Sequence, residues 1–290
     1  MTKEILNSKK ITAIKYLFTL LFLSNLSYSQ EKIISGVIMD SLKTPIAYAN
    51  IGLIKKPIGT VSNEEGKFTL KVAETMFSDT LRVSCIGYEP KEYIISKLIG
   101  SKLLVNLKSH TENLEEVIIN SKELKTYTKG KDKTKTKNEV FFAIPSLKEL
   151  NLGSEIGRKF PIGSKKPSLL EEFKFFIKKN NFEKVKFRIN IYSIKNNKPH
   201  KKLYNENLII ELDNKYTGWT KIDLTKYKIK SKQDIIITVE WIEASKIGNQ
   251  LSLPVLVPSF NSIHYYKYGS QSYWKKYKMV STSMVLKYKQ

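Results

Sequence analysis

The side chains that most often perform catalysis are scarce in this sequence. Only three histidines are present, His110, His200 and His264, and no two of them have the helical spacing of paired metal ligands. The single cysteine, Cys85, lies in an apolar run, where we expect it to pack as a small hydrophobic residue, and it excludes an intramolecular disulfide framework. A Gly-x-Ser-x-Gly motif and a glycine-rich phosphate loop are both absent. We therefore predict that the protein is not an enzyme and has no cofactor or metal site.

The densest group of side chains with binding chemistry lies between His264 and Tyr277, where aromatic rings alternate with lysines and small polar residues. Such rings can stack on sugar rings or bases while neighbouring ammonium groups hold acidic substituents. A pair of strands whose rings face the core produces the same pattern and is its more common origin. The predicted ligand-binding residues are Tyr265, Tyr266, Tyr268, Tyr273, Trp274 and Lys275.

The chain is strongly basic, with 50 lysines and arginines against 27 acidic residues and a formal net charge of +23. A field of this sign attracts phosphates, acidic glycans and anionic membrane surfaces. The excess consists mostly of lysines scattered along the chain, whereas nucleic-acid-binding proteins tend to concentrate their basic residues on one element. We therefore predict no nucleic-acid partner.

The first 29 residues have the three-part pattern of a secretory signal. Lysines come first, an apolar stretch runs from Tyr16 to Leu23, and the small residues Ser27 and Ser29 precede Gln30. The apolar stretch is shorter than a bilayer span requires, and no later segment approaches the needed length. We predict that residues 1–29 are a signal peptide and that no integral membrane span remains after cleavage. The alternative is an uncleaved N-terminal anchor.

The stretch after the signal consists of short runs of alternating apolar and polar residues separated by turn residues. This spacing predicts a β-sandwich over residues 31–120 rather than a helical bundle. The tetrapeptide Asn63-Glu64-Glu65-Gly66 has the chemistry of a hairpin turn, because Asn can bond the nearby backbone and Gly accepts a positive φ.

An ordered set of short motifs in this region resembles the carboxypeptidase regulatory-like domain family over residues from about 33 to 119. The motifs are Gly36-Val37-Ile38-Met39-Asp40, Thr44-Pro45-Ile46, Ala49-Asn50-Ile51, Gly59-Thr60-Val61-Ser62-Asn63, Gly66-Lys67-Phe68, Asp79-Thr80-Leu81 and Ser84-Cys85-Ile86-Gly87-Tyr88. The resemblance implies a transthyretin-like seven-stranded β-sandwich without a catalytic centre of its own. In Bacteroidetes-type bacteria such domains often precede TonB-dependent receptors of the outer membrane. The 171 residues after Ile119 are too few for a receptor plug and a large barrel, so we do not expect a receptor.

Residues 121–139 are rich in lysine and threonine and almost devoid of large apolar side chains, so they are predicted to be a solvated linker. Past the linker, Val185, Phe187, Ile189 and Ile191 alternate with charged and polar residues, which predicts a strand with one apolar face on a core and one charged face in water. Similar runs predict a second antiparallel sandwich over residues 140–290. Its architecture is weakly similar to the jelly-roll accessory modules of secreted bacterial proteins.

Together these patterns predict an all-β protein, with a transthyretin-like seven-stranded sandwich followed by a jelly-roll-like sandwich. We expect an exported, non-catalytic binding or assembly protein of the bacterial cell envelope, in the periplasm, in the outer membrane or at the cell surface. Its predicted partner is an envelope protein or a glycan. Two alternatives stay open: an accessory to TonB-dependent nutrient uptake, and a hydrolase whose site lies in the C-terminal domain.

Overall fold

The computed structural model describes residues 31–110, 124–146 and 151–290. The predicted signal peptide, residues 1–29, lies outside the described residues. The described chain is all-β, as predicted, with short 3₁₀ turns at Glu74–Met76, Ile95–Lys97 and Thr225–Tyr227. None of its helical segments is long and apolar enough to cross a bilayer.

Within its described residues the N-terminal domain is a sandwich of seven strands, the number that the resemblance implied. They are β1 (Glu31–Met39), β2 (Asn50–Leu53), β3 (Gly59–Val61), β4 (Lys67–Ala73), β5 (Thr80–Ser84), β6 (Lys91–Ile94) and β7 (Lys102–Asn106). One sheet has the order β4-β1-β7 and the other the order β3-β2-β5-β6. Strand β4 shows why the sheets pack: Phe68, Leu70 and Val72 are buried while the residues between them are exposed. The two sheets therefore enclose one apolar core.

The hairpin turn before β4 forms as its residues predict. The Asn63 side-chain oxygen accepts a hydrogen bond of 2.8 Å from the Lys67 backbone N–H, and Gly66 has a φ of +69°. A Cβ atom at Gly66 would come within 2.4 Å of the Ile38 carbonyl oxygen. The turn therefore requires glycine both for its backbone conformation and for space.

The C-terminal domain contains sixteen strands in the described residues, all paired antiparallel. They are β8 (Thr126–Lys131), β9 (Glu139–Ala143), β10 (Glu155–Phe160), β11 (Ser168–Ile177), β12 (Lys179–Asn180), β13 (Lys184–Lys195), β14 (Lys198–Lys202), β15 (Ile209–Asp213), β16 (Gly218–Asp223), β17 (Lys230–Ser231), β18 (Ile235–Ala244), β19 (Leu251–Leu256), β20 (Ile263–Lys267), β21 (Trp274–Lys278), β22 (Ser281–Thr282) and β23 (Met284–Lys289).

These strands form three sheets around one large apolar core. The largest runs β14-β13-β18-β10-β20-β21, with β15 also paired to β13. Opposite it lie a sheet ordered β16-β11-β23-β8, with β17 beside β11, and a smaller one ordered β12-β19-β22, with β9 beside β19. Aromatic side chains fill the space between: Phe175 meets Phe187 edge to face at 5.6 Å, and Phe182 meets Trp241 at 5.5 Å. The predicted second antiparallel sandwich is thus present.

The range predicted as a linker, residues 121–139, differs from that expectation in its described part. Strand β8 pairs with β23 over six residue pairs, and Tyr127 stacks on Tyr288 with ring centroids 5.6 Å apart. The side chains of β8 are largely exposed, so composition alone suggested a solvated segment, but its backbone hydrogen bonds complete a sheet edge. The second sandwich therefore includes residues before position 140.

The face of β13 that was predicted to lie in water is buried instead. Lys186, Arg188 and Asn190 are exposed by only 7%, 1% and 0%, because the N-terminal domain covers this face of the large sheet. Arg188 Nη2 donates to the Tyr48 carbonyl oxygen, and Lys186 Nζ donates to the Tyr48 hydroxyl oxygen at 2.8 Å. Tyr48 belongs to the loop before β2, so these bonds join the two sandwiches.

The loop that follows β20 provides a second contact between the domains. The Lys55 backbone N–H donates to the Gln271 carbonyl at 3.0 Å, and Ser270 Oγ donates to the Thr60 carbonyl at 2.7 Å. The loop can approach the β2–β3 hairpin this closely because residue 59 is a glycine. A Cβ atom at Gly59 would lie 3.1 Å from the Ser270 nitrogen and 2.8 Å from the Ile51 carbonyl oxygen. The two sandwiches are thus docked through backbone as well as side-chain contacts.

Candidate functional site

The predicted binding residues lie on a hairpin at the edge of the large sheet. Strands β20 and β21 pair so that Tyr265 lies opposite Lys276, Tyr266 opposite Lys275, and Lys267 opposite Trp274. Because successive side chains of a strand point to opposite faces, the adjacent Tyr265 and Tyr266 cannot serve one surface. The structure therefore divides the predicted set into two groups.

The first group lies on the face of the large sheet that also carries Asn190, and it has a structural role. Tyr265 is fully buried, and its hydroxyl donates to the Asn197 carbonyl at 3.1 Å. Trp274 meets Tyr192 edge to face with ring centroids 5.9 Å apart, and Lys267 Nζ lies 5.2 Å from the centre of the Trp274 ring. Two of the six predicted residues, Tyr265 and Trp274, are thus part of the packing on this side of the sheet.

The second group lines a pocket on the opposite face, which we call the tyrosine pocket. Its volume is about 400 Å³ and most of its lining is apolar. The Tyr266 and Tyr268 rings meet edge to face at 4.2 Å, and the Tyr266 hydroxyl donates to the Phe141 carbonyl at 3.0 Å. Its lining includes Phe141, Asn151, His264, Tyr266, Tyr268 and Tyr277.

A few polar groups are placed within this apolar lining. Burial, assisted by the positive charge of Arg158, lowers the pKa of His264 to about 4, so its imidazole is neutral near pH 7, and its Nδ1 has no hydrogen-bond partner among the described residues. Burial and then a hydrogen bond with Tyr268 raise the pKa of Tyr277, so this hydroxyl also stays neutral. Asn151 adds an amide to the lining. Neutral donors and acceptors among aromatic walls are suited to an uncharged polar ligand.

Exposed apolar side chains continue from the tyrosine pocket onto the surface. Val257, Phe260 and Met279 are exposed by 53%, 70% and 45%. They lie on two turns joined by backbone hydrogen bonds, from Ser259 N–H to the Met279 carbonyl at 2.7 Å and from Met279 N–H to the Ser262 carbonyl at 3.0 Å. Val255, on β19, and Val280, between β21 and β22, line the pocket beside these turns. Contiguous exposed apolar groups beside a pocket are typical of a binding surface.

The remaining predicted residues lie at the rim. Tyr273 is exposed by 48% and does not belong to the pocket lining, while Lys275 Nζ lies 4.5 Å from the centre of the Tyr268 ring and 5.9 Å from that of Tyr273. Phe141 and Asn151 also line the pocket but were not predicted, because they come from distant parts of the chain. Tyr277 was not predicted either, although it belongs to the aromatic and lysine-rich segment from His264 to Tyr277.

A second cavity, which we call the interdomain cleft, lies between the two sandwiches and has a volume of about 690 Å³. Its floor is the buried face of the large sheet. Glu155 on β10 accepts hydrogen bonds from Lys267 Nζ, from Thr238 Oγ1 at 2.7 Å and from Tyr192 Oη at 3.1 Å. Burial raises the pKa of Tyr192, and the nearby carboxylate charge of Glu155 raises it further.

A buried ion pair lies beside this group. Arg188 Nη1 and Glu240 Oε2 are 3.4 Å apart, and Asn190 Nδ2 donates to the same Glu240 oxygen at 2.8 Å. Burial opposes ionisation of Glu240, but the charges of Arg188, Lys267 and Lys202 outweigh it and lower the pKa of this carboxyl. Arg188 Nε, Asn190 Oδ1 and Glu240 Oε1 have no hydrogen-bond partner among the described residues. No sequence pattern predicts this cluster, because its members are far apart in the chain and alternate with core residues.

In the part of the chain that the structure describes, His264 lines the tyrosine pocket, and Cys85 and His200 line the interdomain cleft. No group of three or more His, Cys, Asp or Glu side chains among the described residues is placed to hold a metal ion. Burial raises the pKa of the Cys85 thiol, which disfavours the reactive thiolate.

Comparison with known proteins confirms the resemblance of the N-terminal domain. Residues 34–119 match the CarboxypepD_reg-like domain family. A segment of 99 residues is 30% identical to the TonB-dependent receptor SusC of Bacteroides thetaiotaomicron, covering 34% of this chain and 9% of the receptor. The chain therefore matches about a tenth of that relative's length.

Similarity to solved structures is weak. The cysteine protease and lectin-like domains of Cwp84, a surface layer associated protein of Clostridium difficile, give a TM-score of 0.38 at 10% identity, covering 89% of this chain and 58% of that one. The major pilin subunit BcpA of Bacillus cereus gives a TM-score of 0.18 at 12% identity, covering 89% of this chain and 69% of that one. TM-scores this low do not establish a shared fold.

Proposed function

We propose that the protein is a non-catalytic binding protein of the bacterial cell envelope that captures a glycan in the tyrosine pocket. Its CarboxypepD_reg-like domain and the similarity of one segment to a TonB-dependent receptor support an envelope location. The observation that carries the binding function is the grouping of Tyr266, Tyr268 and Tyr277 around one pocket.

The chemistry of the pocket suits a sugar ring better than a charged or wholly apolar ligand. The C–H faces of a pyranose pack on tyrosine rings, while its hydroxyls need neutral donors and acceptors at the edges. The hydroxyl groups of Tyr268 and Tyr277, the Asn151 amide and the unpartnered His264 Nδ1 are such groups. A volume of about 400 Å³ has room for one or two rings, and the exposed Phe260 and Met279 extend the surface for further residues of a chain.

A glycan array probed with the purified protein tests this proposal, followed by titration calorimetry with the captured glycan. Tyr268→Ala removes a pocket wall and should weaken binding about tenfold or more, because the loss of one stacking ring costs about 1 to 3 kcal/mol. The matched control Tyr273→Ala removes an exposed tyrosine of the same loop outside the pocket lining and should change affinity less than twofold.

Both variants should unfold at nearly the wild-type temperature, so a loss of affinity reports on the site. An array without any captured glycan contradicts the proposal. Equal effects of the two substitutions would place binding outside the tyrosine pocket.

A second candidate function, an accessory role in TonB-dependent uptake, is favoured by the similarity to a segment of SusC. In that case the protein should be recovered with a receptor after chemical cross-linking of intact cells. Recovery of the protein alone argues against this role.

A further inference from the structure

More positive than negative side chains line the interdomain cleft: Arg82, Arg188, Lys201, Lys202 and Lys267 against Glu89 and Glu155. At its floor, Arg188, Lys202 and Lys267 lie near the carboxylates of Glu155 and Glu240. Arg188 pairs with Glu240, and Lys267 pairs with Glu155. Lys202 lines the same cleft, and within the described residues its ammonium group has neither a carboxylate within ion-pair distance nor a hydrogen bond. One half-buried cation of the cleft therefore has no counter-ion among the described residues.

Two donors of the cleft are suited to an anion. Burial and then the positive charge of Arg188 lower the pKa of Lys202 to about 8, so an anion beside it would stabilise its charged form. Arg188 Nε, on a side chain exposed by only 2%, is a second N–H donor without a partner among the described residues. Buried donors of this kind are usually satisfied, and unsatisfied ones call for an explanation.

We propose that the interdomain cleft binds a small organic acid, of about the size of a monosaccharide acid, through its carboxylate group at Lys202 and Arg188. A carboxylate carries a single negative charge and can accept hydrogen bonds from both cations. The second negative charge of a phosphate dianion would lie near the carboxylates of Glu155 and Glu240, which disfavour it. The volume of about 690 Å³ exceeds what acetate needs and accommodates a ring with hydroxyl groups.

The rest of the cleft offers groups for such a ring from both domains. Ser84 and Gln271, which are joined by a hydrogen bond of 2.8 Å from Gln271 Nε2 to Ser84 Oγ, lie on opposite sides of the domain boundary and both line the cleft. Arg82 and His200 lie in the lining as well. A bound acid would contact both sandwiches and stabilise their docking.

Thermal melts and titration calorimetry of the purified protein with glucuronate, galacturonate, lactate, glucose and inorganic phosphate test the proposal. At least one of the three carboxylates should bind saturably and raise the melting temperature, more than phosphate does, and glucose should not bind in the cleft. Lys202→Met should weaken the carboxylate about tenfold or more, since hydrogen bonds to charged groups are of that strength. The melting temperature of the unliganded variant should equal or exceed that of the wild type, because a half-buried ammonium group next to Arg188 is removed.

Two control variants make the outcome specific. Lys198→Met, on the same strand but exposed and outside the cleft lining, should bind the carboxylate like the wild type. Tyr268→Ala should also leave carboxylate binding intact, so failure here is distinct from failure of the tyrosine pocket. The proposal is overturned if none of the carboxylates binds, if phosphate binds more tightly than all of them, or if Lys202→Met retains wild-type affinity.

Discussion

Replacement of Arg188 by methionine should destabilise the protein far more than loss of a surface cation. The Arg188 and Glu240 side chains are exposed by 2% and 0%, and their Nη1–Oε2 distance is 3.4 Å. At that distance the attraction is about 5 kcal/mol for an effective dielectric constant of about 20, against which the desolvation of both groups must be set. Arg188→Met leaves Glu240 buried without its nearest cation, and breaking such a pair costs about 3 to 5 kcal/mol. The bond from Arg188 to the Tyr48 carbonyl is lost as well.

Urea unfolding of the wild type, Arg188→Met, Glu240→Gln and the double variant measures this effect. The double variant should be more stable than the sum of the two single losses implies, by about 1 to 3 kcal/mol, because no lone charge remains. Lys215→Met is the matched control: its pair with Glu183 has a distance of 2.8 Å, but both side chains are more than half exposed, so its loss should cost less than about 1 kcal/mol. If Arg188→Met is as mild as Lys215→Met, or if the two single losses simply add, the reasoning about this buried pair is wrong.

Two further predictions concern a buried histidine and a glycine at the domain contact. The pKa of His264 is lowered to about 4 in the folded protein, so on acidification the unfolded chain takes up a proton before the folded one does. Between pH 7 and pH 5 the free energy of unfolding of the wild type, measured with urea, should therefore fall by about 2 kcal/mol more than that of His264→Leu. An equal pH dependence of the two free energies would contradict the burial of this histidine. Gly59→Ala should open the domain contact and accelerate limited proteolysis, because the new Cβ would lie 3.1 Å from the Ser270 nitrogen and 2.8 Å from the Ile51 carbonyl oxygen. The control Gly269→Ala should be cleaved like the wild type, because its Cβ would have no contact closer than 3.5 Å. Unchanged proteolysis of Gly59→Ala would show that the loop at Ser270 adjusts without cost.

The strands that form the cores could be predicted because alternation records which side chains are apolar. Phe187, Ile189 and Ile191 are all fully buried, as their pattern indicates. The same alternation does not indicate what covers the polar face of the strand. It therefore predicts that Arg188 and Asn190 are solvent-exposed, whereas in the structure the N-terminal domain lies on them. The two-residue period distinguishes the two faces of a strand, but it does not predict which part of the protein packs on either face.

The candidate site was predictable only in part for a related reason. Composition indicated the hairpin around Tyr268, yet the register of its two strands places Tyr266 in the tyrosine pocket and Tyr265 on the opposite face of the sheet. The opposite wall comes from β9, more than a hundred residues earlier, and nothing in its sequence predicts that contact. Backbone pairing is equally invisible in composition, which is why the exposed, lysine-rich strand β8 was taken for linker.

The most direct measurement of the proposed function is a crystal structure of the protein with a glycan captured from the array. We expect a sugar ring packed against Tyr268 and Tyr277 in the tyrosine pocket, with a hydroxyl group at hydrogen-bond distance from Asn151 or from His264 Nδ1. A glycan bound at the exposed Tyr273, or anywhere else with the tyrosine pocket unoccupied, would contradict it.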